Sequence, residues 1–158
     1  MKLTIILLGI ALVVFGIIKY LKKRKEKKKS PKIKYISTHP NLSIVEYDFY
    51  DALNKYAPND LILDRIASGR AYHFAVYCNN QNTKLKNHVG VGDRIATLKR
   101  LGATSVSEIY AGGYRTLETS IKRLKESPSH NRAMLSNYTH IGVAVVNKHY
   151  VAIYFNIK

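Results

Sequence analysis

Ile141-Gly142-Val143-Ala144-Val145-Val146-Asn147-Lys148-His149-Tyr150-Val151-Ala152-Ile153-Tyr154-Phe155 decides the fold class, because it is rich in β-branched and aromatic residues. Asn147-Lys148 divides it at a turn-forming asparagine, so the two halves predict a terminal β-hairpin. Immediately upstream, Thr116 to Glu126 has Leu117, Ile121 and Leu124 at helical spacing and Lys122, Arg123 and Lys125 on the other side. That is an amphipathic helix, ended by Ser127-Pro128. Before it, Ser105 to Tyr110 reads as extended.

The first half of the folded region is helical in pattern. Ser43 with Glu46 three residues on is a capping box, followed by Val45, Phe49, Ala52, Leu53 and Tyr56 at helical spacing, and Pro58 stops the helix. Asn59-Asp60 can cap a second helix with the stripe Leu63, Ile66, Ala67, Ala71, Phe74, Ala75 and Cys78. After a polar loop over Asn79 to Asn87, a third, shorter helix fits Asp93 to Leu101, with Ile95, Leu98 and Leu101 inward and Gly102 as its stop. Helices first, then strands mixed with a helix, predict an α+β layered domain rather than alternating βαβ units.

The chain has 158 residues, 46% hydrophobic and 23% charged, which suits one globular domain. Its formal +16 suggests an anionic partner, but the charge is unevenly placed. Ten basic residues and one acid, Glu26, fall between Lys19 and Lys34; with Lys2 they give the first 34 residues +10, leaving +6 from 15 basic and 9 acidic residues. Leu3 to Ile18 is apolar except for Thr4, about 24 Å as a helix. With Lys2 and Lys19 snorkelling and Tyr20 and Leu21 at the interface, it can span a bilayer.

A cleaved signal peptide is the competing reading, but no small-residue cleavage site follows, only Lys22-Lys23-Arg24-Lys25 and Lys27-Lys28-Lys29. The expected organisation is therefore a transmembrane anchor over residues 1–21, a polybasic juxtamembrane tether over 22–40, and a folded domain over 41–158. The basic flank predicts a single-pass protein with its domain in the cytoplasm, and the tether offers contact with anionic lipid headgroups. Nucleic-acid binding by this run is sterically awkward beside a bilayer. The single cysteine, Cys78, excludes an intramolecular disulfide framework and CxxC metal sites.

Three polar residues stand out by their neighbours: His88 before Val89-Gly90, Glu108 ahead of Ala111-Gly112-Gly113, and His130 in Ser127-Pro128-Ser129-His130. Two imidazoles and a carboxylate can ligate zinc with a position left for water, and equally can make an acid–base pair. His39, His73, His140 and His149 have no such context, and Cys78 lies on an apolar stripe as a core residue does. Ser127 and Ser129 lack a nucleophile elbow, and Gly90-Val91-Gly92 lacks the setting of a phosphate loop.

Glu108-Ile109-Tyr110-Ala111-Gly112-Gly113 resembles the ENIAxG segment of the CAP superfamily, which includes cysteine-rich secretory proteins, antigen 5 and plant pathogenesis-related proteins. Ser127 to Leu135 is similar to the bacterial SPGHRxNIL motif, Tyr138-Thr139-His140-Ile141-Gly142-Val143 to the YTxIGVG strand entry, and Tyr150 to Phe155 to the closing strand. The resemblance runs from about Ser43 to the end of the chain and implies an α-β-α sandwich.

It also implies a cleft holding His88, Glu108 and His130, and a divalent metal there, zinc or magnesium. The family's second acid position falls near Ser127, with Leu124 at the preceding tryptophan position and Glu126 the nearest carboxylate, turned ~200° from the core-facing stripe. Family members bind sterols or fatty acids, and a few are proposed proteases. Most are exported, while a disulfide-free minority sits on membranes facing the cytosol. The combined expectation is a membrane-anchored binding module for a lipid, a sterol or a protein partner; the alternative is a metal-dependent hydrolase or protease in which the histidines hold metal and Glu108 is the base.

Overall fold

The computed structural model describes residues 41–81 and 88–157. The expected anchor, the tether and most of the polar loop after the second helix lie outside the described residues. Among the described residues no helix is long and apolar enough to cross a membrane.

In chain order the elements are α1 (Ile44–Tyr56), β1 (Ile62–Leu63), α2 (Arg65–Asn80), α3 (Val91–Arg100), β2 (Ala103–Gly112), α4 (Leu117–Glu126), α5 (Pro128–Met134), β3 (His140–Val146) and β4 (His149–Ile157). The strands form one sheet in the order β1-β3-β4-β2. The hairpin is as expected: β3 and β4 pair antiparallel from His140 opposite Phe155 to Val146 opposite His149. Asn147 takes the left-handed conformation at φ 53° in the turn between them. β4 is flanked on both sides, so its residues from His149 to Phe155 are all buried and both faces had to be apolar.

Alternation along the strands divides the core in two. Ile109, Ala111, Ile141, Val143, Tyr150, Ala152 and Tyr154 pack with Phe49 and Leu53 of α1, Leu124 of α4 and Met134 of α5. Val106, Ala144, Val151, Ile153 and Phe155 face the other way, onto Ala67, Ala71, Phe74, Ala75 and Cys78 of α2 and Leu98 of α3. Helices therefore cover both faces, as the α-β-α expectation requires.

The α1 capping box forms as expected: the Glu46 backbone N–H donates to Ser43 Oγ and the Ser43 backbone N–H to Glu46 Oε2. Glu46 also accepts from the Val145 backbone N–H at 3.3 Å, tying the helix start to β3. Two boundaries differ from expectation. Ile62 and Leu63 are not the start of α2 but a short strand parallel to β3, because the N–H groups of Ile62 and Asp64 reach the carbonyls of Thr139 and Ile141. The cap of α2 is consequently Asp64, whose Oδ1 accepts from Ala67 N–H at 2.7 Å. Beyond α4, Pro128 does not simply end a helix; it opens α5 from the first helical position, where its missing N–H costs nothing.

α2 and β3 approach at backbone distance. A Cβ at Gly142 would overlap the backbone of Ala67 and Ser68, and Ser68 Oγ accepts from Val143 N–H at 3.1 Å. Only a glycine in the strand and small residues on the helix allow that approach. Gly69, on the same helix, is different: among the described residues nothing beyond its own stretch of helix lies within 4 Å of where its Cβ would be. Gly142→Ala should therefore lose about 3 kcal/mol or more of unfolding free energy in urea titration. Gly69→Ala should gain about 0.5–1 kcal/mol. Equal, small effects at both positions would contradict this packing.

Candidate functional site

His88, Glu108 and His130 come from three places in the chain and meet at the free edge of the sheet. Glu108 is on β2, the edge strand, with its side chain only 2% exposed. His88 precedes α3 and stacks on Phe74 of α2, ring centroids 6.2 Å apart. His130 is in the first turn of α5, which belongs to the opposite helical layer. His88 Nδ1 lies 2.9 Å from Glu108 Oε1, and its Nε2 lies 3.3 Å from His130 Nε2. The contact between the imidazoles thus passes round the edge of β2 and joins the two layers.

Sequence reasoning missed Arg94, the residue that fixes this arrangement. Its Nε and Nη2 donate to Glu108 Oε2 and Oε1 at 2.5 and 2.6 Å, its Nη1 donates to the Val89 carbonyl, and its guanidinium lies 4.1 Å from the Phe74 ring centroid. Nothing in the pattern around Arg94 distinguishes it from a solvated helix arginine, since its partner is 14 residues away across a turn. Tyr110, also on β2, donates or accepts at His149 Nδ1 at 2.8 Å and stacks on that ring at 6.0 Å.

Protonation follows from this geometry. Burial alone would push the Glu108 carboxyl up, but hydrogen bonds from His88 and Arg94 outweigh it and hold the group below its ordinary value. An ionised carboxylate only accepts, so His88 Nδ1 carries a proton and donates it to Glu108. Burial, reinforced by the neighbouring His88, lowers the His130 pKa. Two imidazoles in contact accommodate one shared proton between their Nε2 atoms more readily than two.

The same geometry sets what the site can hold. Two imidazole nitrogens on a tetrahedral metal at ~2.0–2.1 Å lie about 3.3–3.4 Å apart, which is the His88–His130 spacing, and a carboxylate on the far nitrogen is a usual support for such a ligand. Glu108 fills that supporting place; both of its oxygens are taken, so it is neither a third ligand nor a free base. Among the described residues no three His, Cys, Asp or Glu side chains are arranged to hold a metal ion. The histidines fit a two-point hold, not a three-ligand centre.

Beside the dyad is a cleft of about 470 Å³, lined by His88 and His130 together with Tyr110, Tyr114, Leu124, Arg123, Glu126 and Ser127 among others. Glu126 is at its rim and accepts from Arg123 Nη1 at 2.9 Å, with Lys122 Nζ 3.9 Å away. It is a surface ion pair, not a partner of the histidines. His39 lies outside the described residues; of the other three histidines, none joins the cluster, for His73 is exposed on α2 and His140 and His149 belong to the sheet. Cys78 is buried in the α2–α3 core, its thiol pushed up by burial.

Residues 59–155 match the profile of the cysteine-rich secretory protein family, CAP. The chain belongs to that family. Solved structures agree on the fold: an extracellular SCP-domain protein of Bacillus anthracis (18% identity, TM-score 0.60), an outer surface protein of Borrelia burgdorferi (18%, 0.63) and a cysteine-rich secretory protein of Staphylococcus aureus (14%, 0.59). The matches cover 70%, 78% and 77% of this chain respectively. They span 40% of the Bacillus and Staphylococcus chains and all of the Borrelia chain, and at these identities they speak to fold alone. No curated protein sequence matches significantly.

Removing Arg94 leaves a buried carboxylate without its counter-charge. Arg94→Met should cost about 3–5 kcal/mol in urea denaturation at pH 7, and adding Glu108→Gln should recover part of it. Acid should weaken the fold in two stages. His130 has a folded pKa below the unfolded 6.5, so its contribution is complete above about 6.5 and is lost as pH falls through the folded value; Glu108 acts likewise below about 4.5. Between pH 7.5 and 5.5, His130→Gln should flatten the fall in Tm without abolishing it, since the His140 and His149 pKa values are also lowered by burial. An unchanged slope in the variant would contradict the assignment.

Proposed function

We propose that this CAP domain is a non-enzymatic binding module, held at a membrane by residues 1–21 and taking a lipid, a sterol or a protein partner. The observation that carries this reading is the engagement of Glu108. With Arg94 and His88 on its oxygens, Glu108 is not free to abstract a proton from water as the base of a His/His/Glu hydrolase must, and the other described carboxylate at the cleft, Glu126, is paired with Arg123 at the rim. What remains is a cleft of ligand size with aromatic, apolar and polar walls. If a divalent metal is bound, His88 and His130 hold it through Nε2 and it supplies a Lewis-acidic anchoring point for a ligand group.

Two considerations bear on which side of the membrane the domain occupies, and they oppose each other. The basic flank after the apolar run favours the cytoplasm, while the structural relatives are extracellular, outer-surface or secretory proteins by name. We assign the cytoplasmic side on the charge of this chain's own flank, with export as the alternative. The polybasic tether would there lie against anionic headgroups.

Native mass spectrometry of the full chain in detergent, wild type and His130→Ala, tests the reading. Co-purified lipid or partner without stoichiometric metal is the expected result. A metal at one per chain that is lost in His130→Ala, with hydrolytic activity lost alongside it, would overturn it. Protease treatment of intact cells should leave the domain uncut; cleavage from outside would establish export.

A further inference from the structure

Gly69 is unexplained by packing. It lies in the interior of α2, where a glycine costs roughly 0.5–1 kcal/mol relative to alanine, and among the described residues no atom beyond its own stretch of helix lies within 4 Å of its missing Cβ. The close approach of β3 accounts for Ala67 and Ser68 but not for Gly69. What the missing side chain leaves open is a groove of about 440 Å³ between the start of α1 and α2, with Leu42 and Val143 among its walls. Among the described residues this groove shares no lining residue with the His88–His130 cleft.

One turn before Gly69 is Arg65, and one turn after it are Tyr72 and His73; all three line the groove. Among the described residues Arg65 forms no ion pair. Tyr72 is 51% exposed, with His73 edge-on to its ring at 6.2 Å. Among the described residues the single carboxylate in the lining, Glu46, is already committed to the Ser43 backbone and hydroxyl and to the Val145 N–H. The groove therefore has an available guanidinium and imidazole, an aromatic ring, and a floor kept bare of side chain.

We propose that the groove binds an oxyanion, a phosphate or carboxylate carried on a flat or apolar body. Arg65 and His73 take the charged group, and Tyr72 and the space over Gly69 take the body. The guanidinium suits planar, charge-assisted recognition of such a group, and filling an aromatic-walled groove supplies the apolar part of the affinity. The same chemistry can come from a soluble metabolite or from an anionic lipid headgroup.

Calorimetric titration of the full chain in phosphatidylcholine nanodiscs with phenyl phosphate tests this. Saturable one-to-one binding is expected, with inorganic phosphate weaker. Arg65→Gln and Gly69→Leu should each weaken it by about tenfold or more, the size of one lost charge-assisted contact or of a blocked site. Leucine is a better helix former than glycine, so Gly69→Leu should keep its helix and melt no lower than wild type. His130→Ala should bind as wild type, which separates this groove from the cleft. Replacing part of the lipid with phosphatidic acid distinguishes the sources: weaker phenyl phosphate binding identifies the headgroup as the occupant, and unchanged binding a soluble anion. No saturable binding by wild type, equal affinity in Gly69→Leu, or loss in His130→Ala would overturn the proposal.

Discussion

The bidentate pair between Arg94 and Glu108 is the interaction on which the site depends. A carboxylate this deeply buried is costly unless its charge is matched, and Arg94 matches it with two hydrogen bonds while resting on Phe74. Glu108 then has one remaining task, to accept the Nδ1 proton of His88. That fixes the ring so that Nε2 faces His130, a residue presented from the opposite helical layer. Changing the arginine would alter the charge state of Glu108, the orientation of His88 and the contact round the sheet edge together.

The rest of the domain holds that edge in place. β4 is buried on both faces, and β2 is aligned on it residue by residue from Ser105 to Gly112. Glu108 and Tyr110 are thereby turned to the α2–α3 side, and Ile109 and Ala111 to the side of α4 and α5. On the other side of β4, Gly142 lets α2 approach β3 at backbone distance. Phe74, on which both His88 and Arg94 rest, rises from that same helix.

Much of this was legible in the sequence. The hairpin was readable because its turn chemistry and its apolar runs point to the same structure, and α1 because its capping box is entirely local. His88, Glu108 and His130 could be singled out as motif residues, though separations of 20 and 22 along the chain contain no distances. β1 was hidden because Leu63 stands at helical spacing from Ile66 and Ala67; hydrogen bonds to β3, which no local pattern encodes, make it a strand. Ser127-Pro128 is as good a helix start as a helix stop, and α5 took the former role. Arg94 escaped notice because a salt bridge across a turn leaves no periodic trace.

The tautomer of His88 tests the account most directly. Long-range nitrogen–proton NMR on the imidazoles of the full chain at neutral pH should show His88 with its proton on Nδ1, exchanging slowly because Glu108 accepts it. Replacing Arg94 with methionine should disturb that signal while leaving the ring of His140, on β3, unchanged. A wild-type His88 protonated on Nε2 alone, with Nδ1 free, would contradict the arrangement of Arg94, Glu108, His88 and His130 described above.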